Sequence, residues 1–177
     1  MDAPRARLLA LNLAGGLAVL GSYAHGLTSN PELRGSLWGG VPESLRPLYT
    51  ASLGLATAGY FAFSFFVFFR LDPARTRVGR FGFDLFHALY ALILLPSALW
   101  LPLTALMLEA PSGALWLAIR SVLALVAAGS LGLVLALVRA RPAGASVARG
   151  VALAGALAFS LQTALLDALV WPAYFPR

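Results

Sequence analysis

The sequence predicts an all-α integral membrane protein, a single five-transmembrane-helix bundle, and three observations carry that expectation. Only 11% of the 177 residues are charged while 60% are hydrophobic, whereas a soluble domain carries roughly a quarter charged residues to cover its surface. The apolar residues gather into five stretches of the length needed to cross a bilayer, about 20 residues each. Between those stretches arginines alternate from side to side, as they do in loops that stay in or leave the cytoplasm.

The spans fall at Leu8–Leu27, Leu48–Phe69, Phe83–Leu108, Ala114–Val138 and Val151–Trp171. Turn and breaker residues separate them: Asn30-Pro31, Gly39-Gly40, Asp72-Pro73, Pro111-Ser112-Gly113 and Pro142-Ala143-Gly144. The first span has a competing reading as a secretory signal, with Ser22-Tyr23-Ala24 as a small-x-small cleavage site. Its apolar run is long for a signal, so a retained helix is expected. The odd number of spans argues against a simple inverted-repeat transporter within one chain.

Orientation follows from the arginines. Arg5 and Arg7 precede span one, Arg70, Arg75, Arg77 and Arg80 fill loop two, and Arg139, Arg141 and Arg149 fill loop four. The other side has Arg34, Arg46 and Arg177, with Glu32, Glu43 and Glu109. The expected topology puts the N-terminus in the cytoplasm and the C-terminus outside. The abundance of Ala, Leu, Gly and Arg suggests a GC-rich bacterial genome, and with it a bacterial inner membrane. Net charge +6 then reflects loops meeting anionic lipid rather than nucleic acid.

Every basic residue is arginine, and without lysine no Schiff-base cofactor can attach. With no cysteine there are no disulfides, iron–sulfur clusters or thiolate metal sites.

Ionisable groups inside apolar spans ask for a partner or a purpose. Arg120 and Asp167 lie at similar depth on the antiparallel fourth and fifth spans, so an ion pair is expected. That pair reads as a structural clamp or as an anchor for an anionic ligand group. At the same depth gather His25, Trp100 and Gln162. Trp116 and Trp171 read as interfacial belt anchors, and Asp84 and His87, i and i+3 on span three, as a hydrogen-bonded surface pair. Small residues recur every fourth position in Ala14, Ala18 and Ser22, in Gly54 and Ala58, in Gly150, Ala154 and Ala158, and in Ala152, Ala156 and Ser160. Such rows allow close helix packing, either within the bundle or across a homodimer face.

The layout, together with certain residues, resembles the TspO/MBR family of tryptophan-rich sensory or translocator proteins. The third span carries Tyr90, then Ser97, Trp100 and Pro102, similar to the family's Tyr, Asn and x-x-Trp-x-Pro, with Ser97 standing where the Asn would be. Pro47-Leu48 followed by Ser52-Leu53 looks like the start of the family's second helix. Trp38 and Pro42 echo its Trp/Pro-rich first loop, which is likewise the longest here. The sequence departs from the family in having Thr50 near the place of an expected Trp, and Asp167 in place of an Asn. The resemblance implies a cavity among the helices, lidded by loop one, that takes a tetrapyrrole or another flat hydrophobic molecule.

The candidate ligand-binding residues are therefore Trp100, Ser97, Arg120, Asp167, Trp38, His25 and Gln162; no catalytic or metal-ligating set is expected. Three functions compete. The first is a protein that binds or transports a hydrophobic, flat ligand. The second is a non-catalytic accessory or assembly subunit of a larger membrane complex. The third is an intramembrane lipid- or isoprenoid-modifying enzyme, with His25 or Asp167 as acid or base.

Overall fold

A computed structural model describes residues 2–29, 33–141 and 146–175. Among them, five helices are long and apolar enough to cross a membrane: α1 (Ala3–Ser29), α2 (Arg46–Phe69), α3 (Asp84–Glu109), α4 (Gly113–Arg139) and α5 (Val147–Tyr174). Each matches an expected span to within five residues at either end, and most extend past it, since a helix entering the interface keeps its own backbone hydrogen bonds. The expected breakers Asn30-Pro31 and Pro142-Ala143-Gly144 lie outside the described residues, as do Glu32 and Arg177.

Local chemistry sets the ends. The Ser112 side chain accepts from the Leu115 backbone N–H at 3.2 Å and starts α4, and Ser146 does the same for α5 through Arg149 N–H at 3.2 Å. Arg149 Nη2 donates to the last carbonyls of α4, Leu137 O at 3.0 Å and Val138 O at 2.7 Å. Loops two and four are also joined by a two-stranded antiparallel ladder, β1 (Arg77–Val78) with β2 (Ala140–Arg141). Nothing in the hydropathy pattern anticipated it, because two-residue strands have no period to detect.

The helices pack in a ring: α1 on α3, α3 on α4, α4 on α5, and α5 on α2. The α2–α5 seam is the tightest. A Cβ on Gly155 would lie 2.8 Å from Gly59 Cα, and one on Gly59 would strike the Gly155 carbonyl. Of the expected small-residue rows, Ala152, Ala156 and Ser160 do face inward. Gly54, Ala58, Ala14, Ala18, Gly150 and Ala154 face outward. The inward positions on α1 and α2 are instead Gly15 and Gly59, one residue along. The α1–α2 seam is looser, bridged by Tyr60 Oη donating to Asn12 Oδ1 at 2.6 Å.

Packing differs between the two ends of the ring. Toward the end that carries loops two and four, Phe63, Tyr60, Tyr90 and Phe159 meet edge-on or tilted. There the Tyr90 hydroxyl shares a 2.9 Å hydrogen bond with Ser64. His87 Nε2 donates to Pro4 O at 2.9 Å and its Nδ1 lies 3.4 Å from Asp84 Oδ1. This surface pair thus also ties α3 to α1. At the loop-one end the core opens into a cavity.

Candidate functional site: a cavity beneath loop one

Loop one is tied down over the bundle at three points. Trp171 Nε1 donates to Leu37 O at 2.8 Å, and Gly40 N–H donates to Tyr174 O at 2.8 Å. Trp38 meets Tyr49 edge-on at 6.1 Å, and the Arg46 guanidinium lies 5.6 Å above the Trp38 ring. The turn that makes this possible passes through Gly39 at φ 54, a left-handed conformation that suits a residue without Cβ. Val41 just beyond it is buried.

Beneath this roof lies a cavity of about 440 Å³, within the usual range for small-molecule sites. Helix α1 contributes Tyr23 and Leu27, and loop one Arg34, Leu37 and Trp38. Helix α2 gives Tyr49, Thr50 and Leu53, α3 gives Ser97 and Trp100, and α4 gives Val122, Leu123 and Val126. Helix α5 supplies Gln162, Thr163, Asp167 and Trp171. Leu53 and Thr50 line the cavity and are also exposed on the outside of the bundle. The wall is therefore incomplete at the loose α1–α2 seam.

The polar side of the cavity is built by a change in backbone. Residues Leu161–Val170 of α5 form a π-helix, an element found mostly at functional sites and in shorter pieces. Its i→i+5 turns bring Gln162 and Asp167 together, and Gln162 Nε2 donates to Asp167 Oδ1 at 2.7 Å. Leu166 O accepts both the Trp171 backbone N–H and the Tyr49 hydroxyl, the latter at 3.1 Å, which fixes α2 to this segment. Thr163 Oγ1 donates to Ser130 Oγ on α4 at 2.9 Å. Two buried polar atoms in the cavity-lining residues have no hydrogen-bond partner: Trp100 Nε1 and Gln162 Oε1. In a packed interior such groups carry a desolvation cost.

Of the residues expected at the site, Trp100, Ser97, Asp167, Trp38 and Gln162 all line this cavity. Ser97 Oγ donates to Ile93 O at 2.6 Å, one turn back in a helix that runs through Pro96 and Pro102.

Arg120 and His25 require correction. Arg120 is exposed on the outer face of α4, and no ion pair joins it to Asp167. The two residues do share a depth, but Ile119 and Leu123 are the inward positions of α4, and Arg120 lies about 100° from Ile119 around the helix. His25 is likewise exposed and sits 3.3 Å from Ser29 Oγ. The inward pair on α1 is Tyr23 and Leu27, an i, i+4 spacing that turns His25, midway between them, to the opposite face. This placement also removes His25 as an acid or base within the cavity.

Trp171 is 5% exposed and is a wall of the cavity rather than a belt anchor. It meets Trp100 edge-on at 5.6 Å and Phe175 at 4.5 Å. Trp116 stacks on Phe175 at 5.8 Å and stays outside the cavity lining. Sequence reasoning missed Tyr23, Tyr49 and Arg34. The i, i+4 pairing of Tyr23 with Leu27 was the one available signal for the first of these.

Comparison with known proteins found no matching family model, no matching curated sequence and no matching solved structure.

Proposed function

We propose that this protein binds or transports a hydrophobic, flat ligand such as a tetrapyrrole, in the manner of the TspO/MBR family it resembles. On this reading it sits in a bacterial inner membrane with its N-terminus in the cytoplasm, and loop one is the outer lid. One observation carries the proposal: the aromatic-walled cavity of about 440 Å³ under loop one, to which all five helices contribute. Trp100 is the platform on which a planar ligand stacks. The gap at the α1–α2 seam offers a route from the lipid.

Quenching of tryptophan fluorescence by protoporphyrin IX tests this. Saturable quenching is expected, and Trp100→Ala should shift it to higher porphyrin concentration. Trp116→Phe, outside the cavity, should leave it unchanged. Quenching no stronger than partition into empty detergent micelles would sink the proposal.

A second reading, an accessory or assembly subunit, draws on the outward-facing small residues of α1 and α2 and on the exposed Arg120. A stoichiometric protein partner retained through purification from native membranes would favour it.

A further inference from the structure

The cavity wall is chemically lopsided, and its asymmetry narrows the class of ligand. The inference below rests on the binding reading above. On the α4 side stand Val122, Leu123 and Val126, which offer a ligand only apolar contact. On the α5 side stands Asp167, a carboxyl that accepts from the Gln162 amide at 2.7 Å. Among the described residues no arginine lies within ion-pair distance of it. A carboxylate held in such a wall without a counter-charge is costly.

The Gln162 amide sharpens the point. With Nε2 facing the carboxylate, Oε1 is left buried without a donor. Two acceptor groups therefore adjoin each other on one wall.

The aromatic residues add to this. Tyr23 and Trp100 stand 5.8 Å apart at 32°, Trp100 and Trp171 5.6 Å at 71°, and Trp38 and Tyr49 6.1 Å at 85°. Tyr23, Trp100 and Trp171 form one inclined group, and Trp38 and Tyr49 a second. An open ring face attracts a cation through its negative quadrupole; the Trp38 ring already has the Arg46 guanidinium 5.6 Å above it, which leaves the Tyr23, Trp100 and Trp171 group. Arg34 is the one arginine among the lining residues, and it is exposed; its charge is screened by water.

We propose that the cavity recognises a hydrophobic amine in its protonated form. The ammonium N–H binds the Asp167 carboxylate, the Tyr23, Trp100 and Trp171 rings flank the cation, and the apolar body lies against α4. Among the lining residues, the carboxylates of a tetrapyrrole find one arginine, Arg34.

Three planar probes on one ring skeleton separate these possibilities at neutral pH: cationic 9-aminoacridine, neutral acridine and anionic acridine-9-carboxylate. Each is measured by equilibrium dialysis against the full chain in detergent, with empty micelles as the reference. The cation should bind at least about tenfold tighter than acridine, the scale of one charge-assisted hydrogen bond, and the carboxylate should bind weakest. Asp167→Asn should erase the tenfold preference while acridine still binds. Equal affinities, or a preference that survives in D167N, overturn the cation assignment and leave the hydrophobic-ligand reading standing. So does binding of protoporphyrin IX with no binding of any acridine. If neither the acridines nor protoporphyrin IX bind beyond micelles, both readings fall. The ranking in the unsubstituted protein decides the matter even if D167N does not fold.

Discussion

Gln162 and Asp167, five positions apart on one helix, are joined by a 2.7 Å hydrogen bond. In an α-helix positions i and i+5 stand about 140° apart around the axis and cannot meet. They meet here because Leu161–Val170 is wound as a π-helix. The same winding gives Leu166 O its two donors, Trp171 N–H and Tyr49 Oη. Backbone geometry, side-chain pairing and the α2–α5 contact are therefore one feature.

The pairing predicts energetic coupling. A double-mutant cycle of Gln162→Leu with Asp167→Asn should show an interaction of at least ~0.5 kcal/mol in unfolding free energy, the lower end for residues in contact. A parallel cycle of Arg120→Gln with Asp167→Asn should be additive within about 0.5 kcal/mol, since Arg120 faces outward. Coupling in the second cycle and none in the first would reverse the assignment.

The α2–α5 seam predicts a steep positional contrast among glycines. Gly155→Ala puts a Cβ 2.8 Å from Gly59 Cα, and overpacking of this kind costs about 1–3 kcal/mol. Gly54→Ala and Gly150→Ala meet nothing within 4 Å. They should be neutral or stabilise by up to about 1 kcal/mol through helix propensity. Thermal unfolding in detergent ranks the variants, and a Gly155→Ala protein as stable as the parent would refute the close approach.

Depth and rotation about the helix axis were unequally legible in the sequence. Hydropathy and the breaker residues located the five spans, and depth put Asp167, Gln162, Trp100 and Ser97 in one zone. Rotation failed for Arg120 and His25, and small-residue spacing picked Gly54 and Ala58 where Gly59 is the contact. The cause is physical. A soluble helix marks its inward face with an apolar stripe, but a helix with lipid on one side and protein on the other is apolar all round. The π-helix was hidden for a related reason: nothing in Leu161–Val170 marks the extra residue per turn, and it alone turns Asp167 toward Gln162.

The arginine distribution predicts which faces label from which side. The chain has no native cysteine, so single introduced thiols report cleanly. Ala74→Cys in loop two should react with an impermeant maleimide only from the cytoplasmic face. Gly35→Cys in loop one, where nothing lies within 4 Å, should react only from the opposite face. The reverse pattern would invert the proposed topology.

Trp171 Nε1 holds loop one through Leu37 O at 2.8 Å, and Gly40 N–H to Tyr174 O is the neighbouring tie. Trp171→Phe keeps an aromatic ring against Trp100 and Phe175 but deletes the donor. The Leu37 carbonyl then loses a hydrogen bond of about 1 kcal/mol, which corresponds to roughly a fivefold change in a local opening equilibrium. Trypsin reads that opening directly. The chain has no lysine and Arg46 precedes Pro47, so Arg34 is the cleavable position in loop one. Nicking after Arg34 should accelerate about fivefold in the Trp171→Phe protein, by proportion to the opening equilibrium. Trp116→Phe, which leaves the tie to Leu37 untouched, should cut at the parent rate. On the ligand-binding proposal, release of bound porphyrin should accelerate in the same variant, because the loop roofs the cavity. Equal cleavage rates in parent and Trp171→Phe proteins would show that the indole bond does not hold the lid. The Gly40–Tyr174 tie and the Trp38–Tyr49 contact would then be its anchors.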